Sequence, residues 1–480
     1  MLPFVGMGFL EEQKPRLSPA SSPYILESFE PVEYRKGPDR CIVRGQYNIP
    51  KEKVEPAFFD TLTVRPFSSS EFQRPEPFPV FTIGQRFLRI PRTLGFQTYG
   101  MPVVKVEKGA PTSYAFKATL RGYQTQAVDR VLREFAMGEG RDCMLEAGVG
   151  TGKTVMAICA MARFGRRAAV IVHKDFLMTQ WRDRIRTFCP DAKVGLVQRD
   201  TCDYEDKDIV ICMLHSIVQK ANRYPSAFFA SVGLVVVDEC HHIAARTFSK
   251  VLRPFPASHR LGLTATAERK DRLTHVLHWL LGPTVFRIQR RAGAATTTKV
   301  PMVEQIQHKP TTWKEIRTKR GQILFTKMIT KMVEDHDRNT MIATKVRALV
   351  GEGRRVLVVS DRRKHLSCLQ QMLADVPSAM YVGESTKKGK RKREDEKDKA
   401  SVLFTTYMMG EEGLDLPFLD TLVMVTPRKS LEQIIGRILR KKEGKKVPLI
   451  VDVVDTVSIF YGMGRSRMRH YNEKKYKIVS

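Results

Sequence analysis

Glu146-Ala-Gly-Val-Gly-Thr-Gly-Lys-Thr154 is the stretch that decides the fold of this chain. It follows Cys143-Met-Leu145, which reads as a short buried strand, and precedes Val155-Met-Ala-Ile-Cys-Ala-Met-Ala162, which reads as a helix. Gly148, Gly150 and Gly152 let the backbone wrap a triphosphate closely, and the new helix points its first amides at the charge. Val149 and Thr151 complete the loop, Lys153 is placed to reach the β and γ phosphates, and the Thr154 hydroxyl is placed for Mg²⁺. Ala147 stands where the strict form of the loop has glycine, and a side chain this small is compatible with it.

Leu234-Val-Val-Val-Asp-Glu-Cys-His-His242 is the second element. Four apolar residues predict a buried parallel strand, with two acids at its C-terminal end, the edge at which open α/β sheets bind ligands. Asp238 is expected to hold Mg²⁺ and Glu239 to polarise the attacking water. Cys240, His241 and His242 do not make a zinc site, because three adjacent residues cannot easily converge on one tetrahedral ion.

Further strands are expected at Ala168–His173, Asp208–Leu214 and Arg260–Thr266, alternating with amphipathic stretches such as Met178–Phe188. That alternation predicts a parallel sheet covered on both faces. A second block runs through Arg354–Asp361, Val402–Tyr407, Thr421–Thr426 and Pro448–Asp452 without a phosphate loop of its own. It carries Gly410-Glu-Glu-Gly-Leu-Asp-Leu-Pro417 and, on a predicted helix, Gln433-Ile-Ile-Gly-Arg-Ile-Leu-Arg440. Gln433, Arg437 and Arg440 are spaced by four and three residues and share one helical face. Arginines there suit the charge on a transferring phosphoryl group, and supplying them from another domain makes hydrolysis depend on closure.

Arg121-Gly-Tyr-Gln124, GTGKT, DECH, Leu263-Thr-Ala-Thr266, GLDLP and QIIGRILR, in that order, resemble the motif series of superfamily 2 helicases and translocases. The match spans about residues 115–455. The R-x-Y-Q start is similar to that of the phage recombination helicase and the xeroderma-type repair translocases. Thr405-Thr-Tyr407, four residues, then Glu412-Gly-Leu-Asp415 resembles the transcript-release helicases of poxviruses and other large DNA viruses.

The resemblance implies an α/β fold with two tandem RecA-like parallel-sheet motor domains and a small Pro-rich, β-containing N-terminal module. It implies that Gln124 reads the adenine edge with Arg121 beside it, and that Thr264 and Thr266 couple hydrolysis to domain movement. Gly413 and Asp415 would touch the ribose or the nucleic-acid backbone, and Gln433, Arg437 and Arg440 would reach the γ-phosphate. The implied activity is that of an ATP- and Mg²⁺-dependent nucleic-acid motor, with DNA favoured over RNA. An RNA helicase, or a translocase that releases transcripts, is the alternative. An ATP-gated nucleic-acid-binding switch with little turnover is a reading of another class, opposed by the joint presence of Glu239, Arg437 and Arg440.

The expected organisation is an extended or mobile segment 1–45, a β-rich module 46–110, a first motor domain 111–290, linker and helices 291–345, a second motor domain 346–460 and a basic tail 461–480. Half of the 26 prolines fall within residues 1–91, which rules out another helix-rich sheet domain there. Phe78–Ile83 and Phe87–Ile90 are candidate strands, and helices are expected around Gln322–Glu334 and Thr340–Gly351. Arg86, Phe87, Arg89, Arg92, Phe96 and Tyr99 suit either a nucleic-acid contact or a cap packed on the motor domain; both readings stay open. A first domain cut at about residues 100–290 is expected to hold nucleotide by itself.

Lys and Arg outnumber Asp and Glu by 81 to 51, a net charge of +30, which points to a polyanion partner. No apolar run approaches the ~18 residues of a spanning helix, and no secretory signal is evident. The eight cysteines show no paired spacing and read as reduced core residues of an intracellular protein, and the resemblance to helicases of large DNA viruses implies the nucleus or a cytoplasmic viral factory. Lys387–Arg393 suits nuclear import, a nucleic-acid patch or a charged surface helix, and the tail from Arg465 suits a phosphate backbone or a terminal helix.

Overall fold

The computed structural model describes residues 16–479 except 18–23, 39–40, 68–74, 149, 244–245, 247, 267, 270, 291–299, 320, 383–398, 414–417, 429–430 and 440–443. The chain divides into two compact units, Met1–Arg290 and Arg291–Ser480.

The first unit is built on a ten-stranded sheet. Its parallel centre runs, edge to edge, through Thr284–Arg290, Asp142–Ala147, His259–Thr264, Leu234–Val237, Ala168–Val172, Ile209–Met213 and Val194–Gln198. Asp142–Ala147, Ala168–Val172, Leu234–Val237 and His259–Thr264 are buried at every position, because helices cover both faces. The helix Gly122–Ala136 lies on one face, with Ala127, Val128, Val131 and Phe135 in the core.

Residues 24–28, within the segment expected to be extended or mobile, are extended and paired into a sheet. Tyr24–Ser28 is a strand of this ten-stranded sheet, antiparallel to Thr284–Arg290. Arg130 Nε donates to the Phe29 carbonyl at 2.6 Å and Arg141 donates to that of Val32, so the chain that follows is also pinned.

The N-terminal module is a five-stranded sheet of Thr82–Ile83, Phe87–Ile90, Tyr47–Pro50, Ile42–Val43 and Val103–Val104. Its apolar core is continuous with that of the large sheet: Tyr47, Leu88, Phe96 and Tyr99 belong to one cluster with Val235, Phe255, Leu277 and Trp279. Gly95 is required for this, since a Cβ there would stand 2.1 Å from the Tyr47 ring. Arg92 is wholly buried, its Nε donating to Asp142 Oδ2 at 2.5 Å and its Nη1 to the Ala257 carbonyl at 2.7 Å. Arg92, Phe96 and Tyr99 therefore serve the packed-cap reading, whereas Arg86 and Arg89 are exposed.

The second unit holds a seven-stranded parallel sheet: Ser378–Tyr381, Val402–Thr406, Val356–Ser360, Thr421–Met424, Leu449–Asp455, Met302–His308 and Lys477–Val479. Two strands lie outside the expected sheet. Met302–His308 comes from the presumed linker, and Lys477–Val479 from the presumed tail. The expected helices appear as Phe325–Glu334 and His336–Gly351. The tail forms the helix Ser458–Glu473, anchored by Arg467, which is buried against Asp452 with Nε–Oδ2 at 2.9 Å. Lys387–Arg393 lies outside the described residues.

Candidate nucleotide site

Asp142–Ala147 leads into the phosphate loop, and the helix Lys153–Phe164 leaves it. Gly150 and Gly152 have φ of 80° and 92°, the left-handed region that glycine enters without strain. A Cβ on Gly152 would stand 2.5 Å from Gln124 Nε2. Thr151 Oγ1 donates to the Gly148 carbonyl at 2.7 Å, closing the loop on itself. Lys153 Nζ turns back to donate to the Ala147 carbonyl at 2.9 Å, and Thr154 is half-buried in the first helical turn. Val149 lies outside the described residues.

Gln124 is tied to this loop. Its Nε2 donates to the Thr151 carbonyl at 2.9 Å, while its Oε1 accepts from the Arg121 backbone N–H at 2.9 Å. Each amide atom keeps capacity for one further bond, enough for a bidentate contact with a base edge. Tyr123 makes a parallel link: its hydroxyl donates to the Thr151 carbonyl at 3.1 Å and accepts from Arg121 Nη1 at 3.1 Å.

Asp238 ends the buried run Leu234–Val237, and both its oxygens are held: Oδ2 accepts from Trp181 Nε1 at 2.8 Å, Oδ1 from the Glu239 N–H at 3.0 Å. Burial and the adjacent Glu239 push the Asp238 carboxyl above the usual carboxylate range, opposed by the Trp181 hydrogen bond and the Lys153 charge. Glu239 adopts φ 46°, ψ 51°, unusual for a residue with a side chain. Its Oε2 is enclosed without a hydrogen bond among the described residues, 3.5 Å from His241 Nδ1. That same nitrogen lies 3.3 Å from Thr264 Oγ1, whose hydroxyl donates to the Thr266 carbonyl at 2.7 Å. His241 thus joins DECH to the Thr264–Thr266 segment.

Sequence reasoning considered His241 only as a metal ligand, and it missed Trp181 altogether. Among the described residues no three His, Cys, Asp or Glu side chains are arranged to hold a metal ion. The His241 and His242 rings instead pack at 4.2 Å, and His242 and His173 at 4.3 Å.

In the second unit, Gln433 and Arg437 lie on the helix Glu432–Ile438, and Gly413 ends the helix Tyr407–Gly413. These helices pack closely, since a Cβ on Gly410 would stand 2.6 Å from Ile434 Cδ1. Leu439 is already in a turn; Arg440 and Asp415 lie outside the described residues.

Two family models match. Residues 117–269 match the type III restriction enzyme res subunit, and residues 338–442 match the helicase conserved C-terminal domain. The two matches enclose the phosphate loop, DECH and the QIIGR helix.

The chain is a superfamily 2 helicase.

The helicase is 29% identical over 436 residues to "Putative ATP-dependent RNA helicase L396" of Acanthamoeba polyphaga mimivirus, covering 87% of this chain and 81% of that protein. It is 26% identical to "Putative ATP-dependent RNA helicase QP509L" of African swine fever virus, over 75% of this chain and 74% of that protein. Its fold resembles that of S. cerevisiae Dbp5 bound to RNA and ADP BeF3, with a TM-score of 0.54 and 12% identity over 74% of this chain and 89% of that one. Both sheets are therefore RecA-like, preceded by a small β module. As a member of the superfamily the helicase binds ATP and nucleic acid. No helix among the described residues is long and apolar enough to cross a membrane.

Proposed function

We propose that the helicase is an ATP-driven translocase whose track is DNA, in transcription, repair, recombination or replication. One observation carries the motor reading: the phosphate loop and DECH, separate in sequence, come together around Lys153 and Asp238, with Glu239 joined to Thr264 through His241. Gly148–Lys153 would cradle the triphosphate and Lys153 would leave the Ala147 carbonyl for phosphate oxygens. Glu239 would orient the water. Gln124 would contact the adenine, and Arg437 and Arg440 would complete hydrolysis from the second unit. Gly413 and Asp415 are assigned to the ribose or the nucleic-acid backbone.

Mg²⁺ fits the donors at this site. Thr154 offers a hydroxyl and Asp238 a carboxylate, both hard oxygen ligands. Asp238 is an acid whose charge burial disfavours, so a dication there offsets a cost already present. Bound, the ion would neutralise phosphate charge.

The choice of DNA rests on the resemblance of the R-x-Y-Q start and the TTY-x4-EGLD segment to repair and viral transcript-release motors. RNA as the track is a second reading, favoured by the printed names of the mimivirus and African swine fever virus relatives. The chemistry is tested with two variants. Lys153→Ala should weaken ATP binding, and Glu239→Gln should retain binding and stop turnover, because it removes the group that orients water. Turnover by Glu239→Gln at the parent rate would overturn the assignment.

A further inference from the structure

Two links reach the phosphate loop from outside the nucleotide motifs, and both end on the N-terminal strand Tyr24–Ser28. Across three strands, Glu27 is in register with Arg287, and Arg287 with Glu146 at the head of the loop. Arg287 bridges them, its Nε donating to Glu146 Oε2 at 2.8 Å and its Nη1 to Glu27 Oε2 at 2.8 Å. The second link is aromatic. The Tyr24 ring lies 4.6 Å from that of Tyr123, whose hydroxyl donates to the Thr151 carbonyl. The strand between them also holds the loop, since the Gly148 N–H donates to the Ile288 carbonyl at 3.1 Å.

These contacts do two separable things. Glu146 places a carboxylate at the head of a loop meant for a polyanion; only 8% of its side chain is exposed, and the Arg287 guanidinium cancels that charge locally. The loop is otherwise held by Thr151 bonding back to the Gly148 carbonyl, and among the described residues nothing beyond its chain neighbours lies within 4 Å of a Cβ placed on Gly150. A loop fixed beforehand spares the ligand the cost of ordering it.

We infer that the N-terminal strand is a working part of the nucleotide site, in which Tyr24, Glu27 and Arg287 are positioning residues that hold the phosphate loop ready for the triphosphate of ATP. The inference rests on the reading of Gly148–Thr154 as the ATP site. Neither Tyr24 nor Glu27 belongs to a helicase motif, and strand pairing alone explains neither the shared guanidinium nor the Tyr24–Tyr123–Thr151 chain.

The test is equilibrium binding of methylanthraniloyl-ATP to the full chain, beside steady-state ATP hydrolysis and a thermal melt. Tyr24→Ala should raise Kd about threefold to tenfold, the range expected of one aromatic pair, with kcat at saturating ATP held within about twofold. Tyr24→Phe should restore the parent Kd, because it keeps the ring that lies against Tyr123. Glu27→Gln should raise Kd about threefold, and the double variant should multiply the two effects if the links are independent. Leu26→Ala, whose side chain enters the core between the two links, should lower the melting temperature without changing Kd. The inference is overturned if Tyr24→Ala and Glu27→Gln bind like the parent, or if Leu26→Ala raises Kd as much as they do. Lys153→Ala run alongside separates the failures: unchanged binding there sinks the site itself, whereas loss there with no change at Tyr24 and Glu27 sinks only the role of the strand.

Discussion

His241 Nδ1 stands 3.3 Å from the Thr264 hydroxyl, so an imidazole spans the gap between the carboxylate pair and the strand that ends in Thr-Ala-Thr. It also stands 3.5 Å from Glu239 Oε2, on a residue already held in a strained conformation. Removing the ring frees both partners to shift. His241→Ala should therefore leave ATP affinity near that of the parent and lower nucleic-acid-stimulated kcat about tenfold to a hundredfold, the scale of a small misplacement at a reacting centre. His241→Gln, which can still hydrogen-bond on one side, should retain more. Steady-state hydrolysis at saturating nucleic acid reads the difference, and an unchanged kcat in His241→Ala would remove His241 from the site.

The module and the motor should unfold together. Arg92 is buried against Asp142, and Arg92→Ala leaves that carboxylate with Arg260 as its remaining cation, at 3.9 Å. Breaking a buried pair in this way costs about 3–5 kcal/mol, and Arg260 should hold the loss toward the lower figure. Urea unfolding of the full chain measures it. The shared core also changes the expectation for a first domain cut at about residues 100–290. Such a chain loses Tyr47, Leu88, Phe96 and Tyr99 from the cluster that holds Val235 and Trp279, together with the strand Tyr24–Ser28. It should be insoluble or degraded by protease, whereas a chain beginning just before Tyr24 should fold and bind ATP.

The distance between these partners explains what could and could not be read from the residues in order. Uninterrupted apolar runs such as Leu234–Val237 announce buried parallel strands, and the phosphate loop and DECH carry their chemistry in adjacent letters. Arg92 and Arg467 do not. Each looks like charge for a polyanion, but Asp142 lies 50 residues from one and Asp452 lies 15 from the other, and only the fold brings them together. Met302–His308 mixes Met, Val and Ile with Glu and Gln, so its place in the sheet is hidden by polar residues on both of its faces. Tyr24–Ser28 has five residues and no clear period. Its strand character comes from the open edge of Thr284–Arg290, which is a property of the sheet.

Two buried histidines set an acid limit on stability. Burial is the main reason that the His259 pKa falls from 6.5 to about 4 and that of His365 to about 3. His259 Nδ1 is 2.8 Å from the Arg141 carbonyl, while His365 lies between Ser360 Oγ at 3.1 Å and Asn339 Oδ1 at 2.9 Å. In each case the folded state refuses a proton that the unfolded chain accepts near pH 6.5. Their contribution is therefore complete above that pH and is lost as the pH falls toward 4 and below. Urea midpoints measured from pH 8 to pH 4 should drop on the acid side of about 6.5. His259→Gln should be less stable at pH 8 but show a shallower decline, and an equally steep decline would assign the acid sensitivity to other groups.

The nucleic-acid partner is decided by salt and by sugar. With a net charge of +30, most non-specific affinity should come from phosphate contacts, so binding should fall steeply with salt and depend little on base sequence. Arg92 and Arg467 are excluded from that count by their burial, whereas exposed Arg86, Arg89, Arg465 and Arg469 remain available. The backbone features that a motor grips are common to both polymers, and the 2′-hydroxyl is the group that can separate them. ATP hydrolysis stimulated by matched DNA and RNA forks across a salt series makes the comparison at equal charge. Stronger stimulation by DNA supports the proposed track, and stronger stimulation by RNA favours the reading suggested by the viral relatives' names. Tight, salt-sensitive binding with no stimulation by either would instead identify a switch that ATP gates without turnover. Glu239 argues against that last outcome, since a residue held at φ 46° with a buried carboxylate oxygen left without a hydrogen bond among the described residues costs stability that a binding module has no use for.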